Sequence, residues 1–167
     1  MRGSGQPRRA LNPTTVARKS ERELIVTRTF ESPARAVFEA WTRPELFKLW
    51  WAPKSMGAVL SGCEIDARTG GGYRITFGDG GADKATFFGK YVEVTPPSRL
   101  VWTNDESDEA PVTTVTFEDQ GERTLLVLSE LYGSAEPLPD ALAAMQAMTS
   151  EQFAQLDELL ASRSRPA

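Results

Sequence analysis

Two tryptophans stand side by side in Leu46-Phe47-Lys48-Leu49-Trp50-Trp51-Ala52-Pro53, near the end of an expected helix. Consecutive helix positions point about 100° apart, so burying both indoles requires apolar matter on two sides. The pair reads either as the edge of a core or as a lid over a cavity. Polar candidates lie further along, where Arg68 and Arg74 flank Gly70-Gly71-Gly72 and Asp66 precedes it. Paired with Asp66, an arginine there is only an ion pair of the hairpin. Turned inward, it would grip a carboxylate or phenolate with its planar fork. The triple glycine is a tight turn rather than a phosphate loop, because no helix follows to supply an N-terminal dipole. Cys63 reads as a small strand hydrophobe. Glu64 and Glu130 could act as general bases only if buried beside a second titratable group, and as lone strand glutamates they are expected to be solvated.

Histidine is absent from all 167 residues. That removes the commonest general base, every Ser-His or Cys-His nucleophile pair, and the usual transition-metal ligands. No catalytic pair, no metal and no cofactor is therefore expected. A single cysteine excludes an intrachain disulfide, and no apolar run approaches the roughly 20 residues that cross a bilayer. The expected compartment is the cytoplasm, without membrane insertion. Residues 1–22 hold six basic side chains against one acidic one, so the rest of the chain carries −9 of a net −4. This arm lacks the aromatics that stack on bases and an apolar run after Arg8-Arg9. It reads as a flexible extension, residues 1–22, and nucleic acid is not an expected partner of the acidic body.

Positioning falls to elements with clear periodicity. Glu23-Leu24-Ile25-Val26-Thr27-Arg28-Thr29-Phe30 reads as a first strand. Ser32 at N-cap and Pro33 at N1 start a helix to about Thr42, whose stripe is Ala34, Val37, Phe38 and Trp41. Pro44 begins a second short helix that Pro53 stops, forming a V. Six period-two strands follow, approximately Gly57 to Arg68, Gly72 to Phe77, Thr86 to Val94, Arg99 to Thr103, Val112 to Glu118 and Arg123 to Leu131. Strong turn chemistry separates them, including Gly78-Asp79-Gly80-Gly81 and the acidic stretch Asn104 to Glu109. From Pro137 or Pro139 to about Ser162 a long helix keeps Leu142, Met145, Thr149, Phe153, Leu156 and Leu160 on one face. The string is β-α-α-β-β-β-β-β-β-α, an α+β fold in one domain, residues 23–162, with a tail at 163–167. Seven antiparallel strands cannot leave their apolar face wet, so the sheet must curl round the only element long enough to cover it. The helical V with its tryptophans then closes the gap where curved sheet and helix diverge.

The ordered set Trp41-Thr42-Arg43-Pro44-Glu45, Trp50-Trp51-Ala52-Pro53, Cys63 through Arg74 with its Asp-x-Arg-x-Gly-Gly turn, and Gly89 through Val101 with Pro96-Pro97-Ser98-Arg99-Leu100 resembles a known family. It is similar to the relatives of the activator of the 90-kDa heat-shock protein ATPase, within the START-like, helix-grip superfamily of the birch pollen allergen, polyketide cyclases and lipid-transfer domains. The resemblance covers roughly Glu21 to Leu160. It implies the helix-grip fold and a cavity between long helix and sheet. Where such proteins often carry Gly-Trp in the long helix, this chain has Met148-Thr149-Ser150-Glu151-Gln152-Phe153, which implies a larger or reshaped cavity.

Alternation and helical spacing nominate the residues around that cavity. They are Tyr73 and Ile75 with Phe77, Trp102 with Leu100, and Met145, Met148, Thr149 and Phe153, beneath Trp50 and Trp51, with Arg68 as polar contact. Trp51 is expected to face the cavity and Trp50 to pack into the body. The first functional expectation is a binding protein for an apolar, aromatic or lipid-like small molecule, in a pocket of ~300–1,000 Å³. A co-chaperone role, with a chaperone as partner, is the second. It ranks lower because the resemblance lacks the additional chaperone-binding domain of the eukaryotic activator. A cyclase or dehydratase using the same cavity is the third, and a second copy of the chain is left open as a partner.

Overall fold

The structure, a computed structural model, describes residues 12–57, 60–78 and 85–164. Within them the order is β1 (Thr15–Arg18), β2 (Glu23–Phe30), α1 (Ala34–Thr42), α2 (Pro44–Phe47), a 3₁₀ turn (Lys54–Met56), β3 (Leu60–Ile65), β4 (Gly72–Phe77), β5 (Ala85–Thr95), β6 (Arg99–Thr103), β7 (Val112–Asp119), β8 (Thr124–Leu131) and α3 (Leu138–Ser164). All pairings are antiparallel, and the strands lie in the order β1-β2-β8-β7-β6-β5-β4-β3. Alternation sends Val26 and Phe30 of β2, Leu126 and Leu128 of β8, Val115 and Phe117 of β7 and Leu100 of β6 into one core. Phe153, Leu156 and Leu160 of α3 meet them there. This is the helix-grip arrangement, a curved antiparallel sheet holding a long C-terminal helix.

The sheet has eight strands rather than seven. The extra one, Thr15–Arg18, lies in the stretch read as a flexible arm, and pairs with β2 from Thr15↔Thr27 to Arg18↔Leu24. Charge concentrated at Arg18-Lys19-Ser20-Glu21-Arg22 masks its short alternation, and an edge strand bearing charge is the usual guard against edge-to-edge pairing. Residues 1–11 of the arm lie outside the described residues, as do 58–59 at the expected start of the second strand, the turn residues Asp79 to Gly81, and tail residues 165–167.

Other boundaries moved as well, and the second helix ends at Phe47 rather than running on toward Pro53. Pro33, with ψ 154°, is the N-cap of α1, and no side chain caps it. Ser32 is buried instead, its carbonyl accepting the Thr124 hydroxyl at 2.7 Å. β3 stops at Ile65, short of Arg68, because the chain doubles back at once. Asp66 N–H donates to Gly72 O at 2.9 Å, and Gly71 sits where a Cβ would lie 2.2 Å from the Asp66 carbonyl oxygen.

α2 lasts one turn, so the carbonyls after it need partners from elsewhere. One stretch of α3 supplies them. Gln155 Nε2 donates to Trp50 O at 3.0 Å and to Ala52 O at 2.9 Å, and Gln152 Nε2 donates to Trp51 O at 2.6 Å. Gln155 Oε1 accepts Lys54 N–H at 2.9 Å, and the Glu151 carboxylate accepts Ser55 N–H at 2.9 Å and its hydroxyl. These bonds to Ser55 hold the Glu151 carboxyl below the usual range.

A second tie crosses from sheet to helix. Arg28 occupies a core-facing position of β2 at 5% exposure and pairs with Asp157 of α3. It also donates to the Thr14 hydroxyl at 3.0 Å and lies 5.2 Å from the Phe30 ring centroid.

Gln155→Met, which removes the donor and acceptor at three backbone groups, is expected to lower unfolding free energy in urea by about 2–3 kcal/mol. Asp157→Ala leaves the Arg28 charge buried and is expected to cost about 3 kcal/mol. The apolar double replacement Arg28→Met with Asp157→Leu should recover most of that loss in the same titration.

Candidate functional site

Where sheet and α3 diverge, a cavity of about 410 Å³ remains, partly open to solvent. Trp41 of α1, Phe47 of α2, and Trp51 and Pro53 of the clasped segment cover one side. Ile65, then Tyr73, Ile75 and Phe77, then Ala85, Phe87 and Tyr91, form the sheet wall. Trp102 and Asn104 sit at the end of β6, and Met148 and Gln152 come from α3. The wall follows from pairing register. Tyr73↔Gly89, Ile75↔Phe87 and Phe77↔Ala85 are opposed on β4 and β5, so their side chains share the inner face. Gly89 is required there, because a Cβ would lie 1.9 Å from Thr103 O and 2.9 Å from the Tyr73 ring.

Of the twelve residues nominated from sequence, Trp51, Tyr73, Ile75, Phe77, Trp102 and Met148 line this cavity. The other six do not, Leu100 being fully buried in the core. Trp50 is fully buried, donates its indole N–H to Ala40 O at 3.0 Å, and packs edge-on against Trp41. Phe153 belongs to the core, with its ring 5.4 Å from that of Phe30. Thr149 is buried and turns its hydroxyl back onto the Met145 carbonyl. Met145 packs beside Leu24, Tyr132 and Leu138, one stretch of helix away. Arg68 corrects the sequence reading most clearly. Its side chain is 73% exposed and bound to Asp66 at 3.0 Å, because the glycine turn lies outside the sheet's grip. Arg74 is exposed as well, over the Phe88 ring. No arginine or lysine lines the cavity among the described residues.

Aromatic contacts hold the roof. Trp41, 2% exposed, has ring centroids of Trp50, Trp51 and Trp102 at 4.9, 5.9 and 6.0 Å, so all four tryptophans form one cluster. Trp51 also stacks on Phe47 at 4.7 Å. The Trp41 indole N–H is buried without a hydrogen-bond partner, which costs about 1–3 kcal/mol and marks a place where packing overrode polar satisfaction.

A polar chain runs from the cavity into the protein. Tyr73 OH lies 2.8 Å from Thr103 O and 3.0 Å from Asn104 Oδ1. Asn104 Nδ2 donates to Pro111 O at 2.7 Å and to Thr113 Oγ1 at 3.0 Å. Thr113 Oγ1 is 3.4 Å from Glu130 Oε2, and Tyr132 OH donates to Glu130 Oε1 at 2.9 Å. Glu130 is therefore not a solvated glutamate, and a titratable phenol does stand beside it. Burial raises its pKa, opposed by its bonds to Tyr132 and Thr113. Burial likewise raises Tyr73, with Glu106, Tyr91, Asp105 and Glu130 adding to the effect, and keeps Tyr91 and Tyr132 protonated. Glu64 is exposed. Cys63 is half-buried, and burial pushes its thiol up to about 11, so it is a poor nucleophile at neutral pH.

Among the lining residues that sequence reasoning missed are Trp41, Phe47, Asn104 and Gln152. Trp41 and Phe47 were visible as stripe residues of their helices but not as cavity wall. Asn104 opens an acidic stretch that reads as loop, and Gln152 lies next to an apolar position without being one. Among the described residues no cluster of acidic, cysteine or histidine side chains could hold a metal, and no helix is long and apolar enough to cross a membrane.

The fold recurs in solved structures. A protein from Rhodobacter sphaeroides is 21% identical, with 89% of this chain and 98% of that one covered at a TM-score of 0.80. One from Nitrosomonas europaea is 23% identical, covering 87% and 97% at 0.76. An AHSA1-like protein from Aeromonas hydrophila is 19% identical, covering 80% and 92% at 0.67. No curated relative matches the chain. A family model matches residues 31–161, the span of α1 through α3 that builds the cavity; the chain thus belongs to the family described as Activator of Hsp90 ATPase homolog 1-like protein.

Proposed function

We propose that the chain is a binding protein for an apolar, aromatic small molecule held in the cavity between α3 and the sheet. The observation that carries this reading is the cavity itself. It is about 410 Å³, walled mainly by aromatic and aliphatic side chains, with Tyr73, Asn104 and Gln152 supplying the polar edge. That size and composition suit a drug-sized ligand bound by burial. At about 0.3 kcal/mol per heavy atom, a ligand of about 20 heavy atoms binds in the tens of micromolar.

Trp51 gives the reading a built-in reporter, being half-exposed, a cavity wall, and stacked on Phe47. Titration with a panel of aromatic and sterol-like compounds is expected to quench or shift tryptophan emission and to raise the melting temperature. Trp51→Ala should weaken the best ligand about tenfold while Trp50 remains packed in the core. A broad panel giving neither thermal shift nor emission change would sink the proposal.

The family's description favours a second reading, contact with a chaperone ATPase. Purified chain added to a 90-kDa heat-shock protein is then expected to raise its ATPase rate, and an unchanged rate removes that reading.

A further inference from the structure

We propose that the cavity selects ligands presenting a neutral hydrogen-bond donor, such as a phenol or alcohol on an aromatic frame, over the corresponding ethers and carboxylates. This rests on the reading that the cavity is a ligand site, and goes further by naming what the ligand's polar end must be.

The Asn104 amide has a determined orientation. The Pro111 carbonyl, 2.7 Å away, can only accept, so the nitrogen must face it. The second N–H goes to Thr113 Oγ1 at 3.0 Å, whose own proton faces the Glu130 carboxylate. Both donor protons of Asn104 are thus spent inside the protein. Tyr73 has one proton, with the Thr103 carbonyl and Asn104 Oδ1 as its acceptors at 2.8 and 3.0 Å, so it too is spent. What Asn104 and Tyr73 retain toward a guest is oxygen lone pairs. This corner accepts and does not donate.

Gln152 spends one N–H on Trp51 O and keeps the other together with its carbonyl, so it reads neither sign. The discrimination therefore lies at the Asn104 and Tyr73 corner. Charge acts in the same direction. No cation lines the cavity among the described residues, and Asp105, Glu106 and Glu130 are close enough to Tyr73 to reinforce its protonated form. A carboxylate entering such a site loses its hydration and meets no counter-charge.

Calorimetric titration of the full chain at pH 7.5 with 4-hydroxybiphenyl, 4-methoxybiphenyl, biphenyl and biphenyl-4-carboxylate tests this on one frame. The phenol is expected to bind about three- to tenfold tighter than its methyl ether, the worth of one net hydrogen bond. The carboxylate should bind at least about a hundredfold more weakly than the phenol. A phenol equal to its ether, or a carboxylate as tight as the phenol, overturns the selectivity while leaving the cavity reading standing. Binding by none of the four removes the cavity reading, and the selectivity with it. In the double variant Asn104→Leu with Tyr73→Phe, which removes both acceptors and is confirmed folded by circular dichroism, the phenol-to-ether ratio should fall to about one. A ratio that survives the substitutions overturns the assignment, and if the variant does not fold, the ligand series on the unaltered chain decides alone.

Discussion

Three side chains within five residues of α3, Glu151, Gln152 and Gln155, satisfy five backbone groups between Trp50 and Ser55, and the site depends on that clasp. A segment leaving a one-turn helix carries carbonyls with no helical partners, and such groups cannot be buried unpaired. Amide side chains solve the problem because each offers a donor and an acceptor at once. Gln155 gives Nε2 to Trp50 O and Ala52 O while its Oε1 takes Lys54 N–H. The tryptophan pair is thereby pinned to the helix by main-chain bonds. Its rings are left free to serve packing, Trp50 inward and Trp51 at the cavity.

The aromatic cluster follows from that placement. Trp41 reaches Trp50, Trp51 and Trp102 together only because α1, the clasped segment and β6 converge above the sheet. Edge-to-face geometry dominates these contacts, the arrangement that ring quadrupoles favour. Such a cluster fills the end of the core but cannot fill the whole wedge between a curved sheet and the long helix α3. The unfilled remainder is the cavity, with residues of modest size, Ala85, Ile75 and Met148, along its wall. The clasp therefore fixes a boundary, and the sheet's curvature sets the volume behind it.

Buried polarity is handled in two contrasting ways. Arg28 and Asp157 pair across the sheet-helix interface, where an isolated charge would be costly, and the pair fastens α3 to β2 without lining the cavity. Asn104, Thr113, Glu130 and Tyr132 form a directional chain ending on a carboxylate. That direction leaves acceptors rather than donors at the cavity. A chain without histidine thus still carries polar information, written in amide orientation rather than in a titrating ring.

By itself, the sequence determined what depends on local periodicity and turn chemistry. β2, β4 and β6 begin and end where period-two alternation and flanking turns place them, and α3 runs within two residues of its expected C-terminus. The family motifs added the grip of sheet on helix. From Trp50 alone, in register with Leu46 and Phe47, its burial was legible, and by exclusion the orientation of Trp51. Only the tertiary structure decided the rest. Arg68 left the site because its turn lies outside the curl. Thr15–Arg18 became a strand because β2 offered it an edge. Asn104, Gln152 and Glu130 gained roles through partners from 7 to 101 residues away. A hydrogen-bond network has no period along the chain, so part of the cavity wall could be read from the sequence, Tyr73 included, whereas Asn104 and Gln152 could not.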